Sequence, residues 1–466
     1  MNHPYLQEGH MQKFASDEVT LGYVQLLSEN IRSSYKIEPG QFKSYNIKRG
    51  LRNSDGTGVL AGVTNIGSVQ GYMMLDGDPI PMPGKLYYRG LDVSDIVKSH
   101  VERGIFGFEE VCYLLLFGKL PTEPELRAFN CVIAEARKMP EGFNENILFK
   151  APNQSIMNKL AAGVMSLYSY DDNPDDTSPE NVLRQSIELI ARLPIIVLNA
   201  YNVKRHYYDH DSLYLHMPLA ELSIAENILR MLRDDKKYTP EEAHLLDLML
   251  TLHAEHGGGN NSTFTCRVLT STGTDTYATI TGAINSLKGP LHGGANTKVI
   301  GMFKDIKENV SDPTDDNRLR DYLIKILNGE AYDGRGKIYG LGHAVYTESD
   351  PRSLLLKQYA RDLAVKNGAG DDFNLMERIE EIGKALLNEK LKDRKTVCSN
   401  VDMYSGLVYK MLGIPEEMFT PLFAIARVSG WCAHRLEELI SGGKIIRPGY
   451  KAVMHKTAYV PMEERS

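Results

Sequence analysis

The sequence predicts a mainly α protein. From about Asp92 almost to the end, apolar residues recur at helical spacing; Phe108, Val111, Cys112 and Leu115 stand at i, i+3, i+4 and i+7. Strand and turn signals are confined to residues 50–88, where Val59, Val63 and Ile66 sit between glycines. No long alternation of strand with helix follows, which disfavours a Rossmann or barrel fold, and no repeat of 20–50 residues marks a solenoid.

Taken in order, residues 1–40 are polar, with weak helical patterning around Val19–Ile31. Ser54-Asp55-Gly56 and Asp76-Gly77-Asp78 read as turns between short strands and hairpins up to Tyr88. The helix through Phe108 is stopped by Gly118 and Pro121. Further helices are expected around 154–168, 180–203, 219–233 and 240–253. Ser311–Asp316 and Asn367–Asp372 read as surface loops, and Gly334–Gly342 is a Gly-rich segment between them.

The 466 residues suggest two or three units. Hydrophobic residues at 42% and charged residues at 24% are globular values and exclude disordered, collagenous and fibrous classes. The net charge of −7 argues against nucleic acid as a partner, while leaving room for a local cationic pocket. Cys112, Cys131, Cys266, Cys398 and Cys432 are odd in number and scattered, so a disulfide framework or zinc ribbon is not expected and a reducing compartment is. No apolar run approaches the ~18 residues of a membrane span. The N-terminus lacks the order of a secretory signal, and Glu8, Asp17 and Glu18 spoil an acid-poor transit peptide. The expected location is the cytoplasm.

Four segments break the local rules. In His253–Asn261 (HAEHGGGNN), two histidines end a helix before three glycines. Metal binding, helix capping and substrate binding all remain open there, and metal lacks a nearby third ligand. In Gly289–Asn296 (GPLHGGAN), His292 sits in a tight turn before a helix, whose N-terminus would keep its imidazole neutral. Gly334–Arg352 (GRGKIYGLGHAVYTESDPR) fits neither nucleotide-binding glycine fingerprint, yet a Gly-rich loop ending in His343 suits a phosphorylated ligand, with Arg352 for a carboxylate. Ser399–Gly406 (SNVDMYSG) isolates Asp402, and Arg427 is the only formal charge between Glu417 and Arg435. An arginine inside such a run is costly to bury unless it meets an anion, the alternative being a surface side chain. Three histidines, an isolated aspartate and several arginines on separate loops suit proton abstraction next to a carbonyl, with arginine forks holding a dicarboxylate.

Five segments in one order carry a resemblance: Gly84–Gly90 (GKLYYRG), Phe108–Pro121 (FEEVCYLLLFGKLP), Gly289–Asn296, Gly340–Arg352 and Asn400–Gly406. Together the sequence resembles the citrate synthase family from roughly residue 57 to 455. The resemblance implies a two-domain helical fold with a short strand-containing N-terminal region. Residues 1–70 would form an N-terminal extension, 71–293 with 414–466 a large domain, and 294–413 a small one. It implies a homodimer with composite sites, acting on acetyl-CoA and oxaloacetate to give citrate at the entry of the tricarboxylic acid cycle.

By that resemblance His292 would hydrogen-bond the thioester oxygen, Asp402 remove the methyl proton and His343 donate to the oxaloacetate carbonyl. His256, Asn260, Arg352 and Arg427 match oxaloacetate or citrate ligands, and Arg447 matches an arginine supplied by the neighbouring subunit. Lys337, Ile338, Tyr339, Gly340, Leu341 and Gly342 match the loop that receives CoA. His253 occupies a neighbouring family position with no assigned role. No metal or redox cofactor, nucleic acid or membrane partner is expected; an aspartate this weak removes a methyl proton only with simultaneous stabilisation of the enolate oxygen.

Two positions depart from the family pattern. Thr347 stands where relatives carry a basic residue for CoA phosphates, so Lys337 or Lys357 would have to compensate. Ser399 stands where proline is common before the asparagine, which would alter the stiffness of the Asp402 loop. The neighbouring reading is 2-methylcitrate synthase, which takes propionyl-CoA, since one methylene is worth only about 1–3 kcal/mol in a pocket. The remote ones are a catalytically dead helical interaction protein and a metal hydrolase built on His253 and His256.

Overall fold

The computed structural model describes residues 35–53, 56–76, 78–391 and 396–465. The expected helix at Val19–Ile31, and Ser54, Asp55 and Gly77 of the two turns, lie outside the described residues. The chain divides into two compact units, one of residues 1–60 with 448–466 and one of 61–447. In the first, helix α1 (Pro39–Ser44) is followed by a 3-10 turn at Arg49–Leu51. Arg49 lies over the Phe42 ring at 4.6 Å and Lys451 over Tyr45 at 5.3 Å.

The second unit opens with an antiparallel hairpin, β1 (Gly67–Leu75) and β2 (Asp78–Tyr88), extended by β3 (Leu91–Asp92). The register runs from Gly67↔Tyr88 to Leu75↔Asp78, with an irregularity between Gln70 and Tyr72. Strand structure is thus narrower than the sequence suggests: Val59 and Val63 lie in no strand. Gly84 lets the hairpin press against the segment that carries Tyr346 and Ser349. A Cβ there would stand 2.0 Å from the Ser349 carbonyl oxygen, and its amide donates to Ser349 Oγ at 3.1 Å.

The rest is helical: α2 (Val93–Arg103), α3 (Phe108–Phe117), α4 (Glu123–Ala136), α5 (Ile156–Leu167), α6 (Pro179–Tyr208), α7 (Ile224–Leu232), α8 (Pro240–His253), α9 (Asn261–Thr270), α10 (Thr276–Leu287), α11 (Ala295–Asn309), α12 (Asp316–Asn328), α13 (Pro351–Lys366), α14 (Gly370–Leu391), α15 (Asp402–Met411) and α16 (Phe419–Ile440). Their ends follow local chemistry. Thr122/Glu125, Ser223/Glu226 and Thr239/Glu242 form capping boxes at the starts of α4, α7 and α8. Gly104, Gly118 and Gly329 close α2, α3 and α12 in the left-handed conformation. The first amides of α3 are met from a distance, as Asp247 on α8 accepts from Gly107 N at 2.6 Å and Phe108 N at 3.3 Å.

Helix α16 runs through the core against α6, α9, α3 and α8, with Trp431 fully buried. Helix α6 is long and apolar enough to span a membrane by composition, contrary to the reading of short apolar runs. However, 83% of its apolar window is buried inside the protein, which makes it a core helix. The segment read as a loop at Asn367–Asp372 ends earlier, because α14 starts at Gly370. Asp371 and Asp372 sit in its first turn, where negative charge suits the helix dipole.

Candidate active site

Helix α8 ends at His253, and the chain then turns through Glu255, His256 and the glycines to Asn260, which caps α9. His253 donates from Nδ1 to the Met249 carbonyl at 2.7 Å, leaving Nε2 as an acceptor. That buried Nε2 has no partner among the described residues, and neither has His256 Nε2. Burial pushes the His253 imidazole down to about 3 and that of His256 well below its usual range; the nearby arginines add to both shifts. Both rings are therefore neutral near pH 7.

Arg427 lies in mid-α16, 1% exposed, so the surface alternative is excluded. Its Nε donates to the His253 carbonyl at 2.6 Å, its guanidinium lies 4.7 Å over Phe423, and Nη2 has no partner. Burial lowers its pKa to about 10, with Glu255 opposing the shift. A buried cation with an unpartnered donor is costly unless a ligand anion completes it. Glu255, fully buried, supplies that opposing charge; it accepts from Gly257 N and from His434 Nε2, the latter at 3.0 Å, while Oε2 is unpartnered.

The segment 340–352 forms the facing wall. The His343 and His256 rings meet at right angles with centroids 5.2 Å apart, and His343 stacks on Tyr346 at 4.5 Å. His343 Nδ1 accepts from Val345 N at 3.1 Å and Tyr346 N at 3.0 Å, which assigns the ring proton to Nε2. Arg352, 3% exposed, forks onto Asp350 with contacts of 3.0 Å from Nε and 2.7 Å from Nη2. Asp350 also accepts the Arg352 amide and so both caps α13 and aims the guanidinium.

His292 approaches from the turn before α11. Its Nε2 accepts from the Ser262 amide at 3.3 Å, with Ser262 Oγ 3.0 Å away. A backbone amide can only donate, so the amide contact assigns the His292 proton to Nδ1, while Ser262 Oγ gives its own proton to Asn260 Oδ1 at 3.0 Å. The ring is neutral, as expected. Burial, then the Arg427 charge, takes its pKa down to about 4.

Asp402 opens α15, and its amide donates to Asn400 Oδ1 at 3.0 Å. Its carboxylate has no hydrogen-bond partner among the described residues. Burial lifts its pKa to about 6 despite the attraction of Arg352. The Lys337–Gly342 loop is tied to the segment before Asp402: Gly342 N donates to the Cys398 carbonyl at 2.8 Å, Asn400 N to the Gly340 carbonyl at 2.9 Å, and Asn400 Nδ2 to the Gly342 carbonyl at 2.9 Å. Gly340 has φ +85°, and a Cβ there would stand 2.6 Å from Met403 Sδ. Within the loop Lys337 is exposed, Ile338 is buried, and Tyr339 donates to Asp333 Oδ2 at 2.7 Å.

Seven sequence-derived residues thus share one region: His253, His256, His292, His343, Arg352, Asp402 and Arg427. Asn260 is present, but its side chain is used by the loop, accepting from Thr263 N and Ser262 Oγ and donating to the Gly257 carbonyl. Arg447 is not brought in. The adjacent Ile446 amide is pinned to Ser271 Oγ at 3.1 Å, at the end of α9 opposite Asn260, about 15 Å along that helix. Arg447 itself is exposed. Lys357 is already paired with Glu380 at 3.1 Å and Glu377 at 3.3 Å, whereas Lys337 is exposed. Among the described residues, no cluster of three or more His, Cys, Asp or Glu is placed to hold a metal.

Residues 54–449 match the family described as citrate synthase, C-terminal domain. This chain belongs to the citrate synthase family. It is 37% identical to a citrate synthase of Synechocystis sp. over 387 residues, 82% of this chain and 88% of the relative. It is 33% identical to 2-methylcitrate synthase 1 of Corynebacterium glutamicum, covering 90% and 99%. The fold matches citrate synthase from Thermoplasma acidophilum, solved with carboxymethyl coenzyme A and oxaloacetate, with a TM-score of 0.73, 28% identity and coverage of 90% and 99%. Citrate synthases are acyltransferases, and the mainly α architecture is that of the family.

Glu255, Asp350, Ser262 and Tyr346 were not singled out from sequence. The first two lie inside the quoted motifs, where an acid beside a histidine or arginine was the available signal. Ser262 and Tyr346 had none.

Proposed function

We propose that this chain condenses acetyl-CoA with oxaloacetate and hydrolyses the enzyme-bound citryl-CoA to citrate and CoA, at the entry of the tricarboxylic acid cycle. The observation that carries this reading is Asp402, tied through Asn400 to the loop that precedes His343 and within the field of the buried Arg352, its pKa raised by burial.

In this reading Asp402 takes a proton from the thioester methyl group. His292 Nδ1–H donates to the thioester oxygen as charge develops there; one preorganised donor of this kind is worth about 3–4 kcal/mol. The enolate carbon attacks the oxaloacetate carbonyl carbon, and His343 Nε2–H donates to the oxygen that becomes the citrate hydroxyl. Water then cleaves the thioester, releasing CoA. Arg427, Arg352 and His256 hold the carboxylates. Asn260 contributes by shaping the loop that carries His256, and the backbone at Lys337–Gly342 receives CoA. Every step is acid–base or carbonyl chemistry and asks for no resident cofactor.

The assembly proposed is a homodimer in which Arg447 of the partner subunit completes each site. Support comes from its exposure and from the anchoring of Ile446 away from the site of its own chain. Within residues 61–447, α11–α15 pack extensively among themselves, which supports 294–413 as a smaller domain. A cytoplasmic location is proposed on composition. Propionyl-CoA is the second reading, favoured by the likeness to a 2-methylcitrate synthase.

Thiol release with oxaloacetate, comparing acetyl-CoA with propionyl-CoA, tests the proposal. A higher kcat/KM for acetyl-CoA supports it. A preference for propionyl-CoA selects the second reading, and release with neither refutes both.

A further inference from the structure

Beneath the Asp402 loop lies a buried carboxylate that the reaction does not touch. Glu380, on α14, is 3% exposed. Its Oε1 accepts from Ser399 Oγ at 2.7 Å and from Lys384 Nζ. Its Oε2 accepts from Lys357 Nζ at 3.1 Å and from the Tyr404 hydroxyl. Four donors hold it ionised, with its pKa lowered to about 2 against the opposing effect of burial.

These donors sit at significant places. Ser399 immediately precedes Asn400, whose side chain takes the Asp402 amide and binds the Gly342 carbonyl. Tyr404 lies two residues beyond Asp402 on α15. Ser399 Oγ also accepts from Ser353 Oγ at 3.1 Å, and Ser353 follows Arg352 on α13. One carboxylate therefore grips the chain on both sides of the base and, through one hydroxyl, the helix carrying an arginine. Lys357, on α13, closes the same circuit.

We infer that Glu380 is a positioning residue for Asp402: it fixes the depth and orientation of the base through Ser399 and Tyr404. This rests on the assignment of Asp402 as the base. The physical reason is the departure at position 399. Serine leaves φ unrestrained where a proline ring would fix it. The hydrogen bond from Ser399 to a buried anion supplies that restraint instead, and hydrogen bonds to charged groups are the strong ones. Misplacement by 1 Å at a reacting centre is enough to cost about a hundredfold in rate.

The test compares wild type with Glu380→Gln, Ser399→Ala and Tyr404→Phe, using acetyl-CoA with a protiated or a deuterated methyl group. The last two each remove one bond and no charge, so they decide the matter if Glu380→Gln does not fold. The expected result is a kcat reduced 10- to 100-fold in Glu380→Gln and 3- to 10-fold in the others. KM for oxaloacetate should stay within about threefold, and the deuterium effect on kcat should rise, since a displaced base slows proton removal specifically. Ser399→Pro in the Ser399 position should keep kcat within about threefold of wild type, because the ring restores stiffness. Unchanged kcat, or a fall with an unchanged isotope effect, overturns the inference. Failure of the functional reading is separate: wild-type protein itself would then release no thiol.

Discussion

The Arg427 guanidinium donates from Nε to the main-chain carbonyl of His253 at 2.6 Å, and its Nη2 is left without a partner. One arginine thus fixes the end of α8 and keeps an unused donor, and its charge acts on His253 and His256, whose Nε2 atoms are also unpartnered. Fixing the guanidinium before substrate arrives lowers the ordering cost of binding.

Replacing this group should weaken oxaloacetate binding while leaving the base in place. Removal of one partner of a buried charge pair costs about 3–5 kcal/mol. Arg427→Leu should therefore raise KM for oxaloacetate at least a hundredfold in steady-state assays. An unchanged KM would place Arg427 outside the substrate site.

The pH profile should show one acid limb belonging to Asp402. The base works ionised, and burial raises its pKa to about 6. Below that value kcat/KM should fall about tenfold per pH unit. His292 at about 4 and His253 at about 3 are already neutral there and add no limb above pH 5. An acid limb near 4, as for an ordinary exposed carboxylate, would contradict the burial of the base.

With Lys357 committed to Glu377 and Glu380, Lys337 is the remaining cation of the two considered for CoA phosphates. Lys337→Ala should raise KM for acetyl-CoA about threefold to tenfold, the scale of one exposed charge contact. The effect should shrink at high salt. A KM independent of both the substitution and salt would remove Lys337 from the CoA site.

The architecture was legible where one chemical pattern dominates a local stretch. The face of Phe108, Val111, Cys112 and Leu115 gives α3, and all four residues are buried. Arg427 stood out because it interrupts an apolar run, and the site loops because glycines cluster around single histidines. What escaped depends on partners far apart in sequence. Glu255 meets His434 across 179 positions, and Asp247 meets Gly107 across 140. Such pairings leave no periodic trace in either segment. The start of α14 was missed for a local reason: Gly370 and two aspartates read as turn residues, whereas the aspartates serve the first helical turn.

The proposed homodimer, with Arg447 completing the partner's site, predicts how mixed dimers behave. Arg447→Ala and Asp402→Asn subunits should each be nearly inactive alone. After full exchange at equal amounts, about half the dimers are mixed, each with one intact site and one doubly damaged site. Roughly a quarter of wild-type activity should return. No recovery, with mixed dimers verified by mass, would mean that Arg447 serves its own subunit or no site.

The division of labour between base and clamp is tested most directly on Asp402→Asn, by measuring oxaloacetate binding calorimetrically alongside turnover. The side chain keeps its shape and loses only its ability to take a proton, while Arg427, Arg352 and His256 are untouched. Turnover should nearly vanish, with Kd for oxaloacetate within about tenfold of wild type. Retained turnover, or binding lost together with turnover, would contradict the assignment of Asp402 as the base.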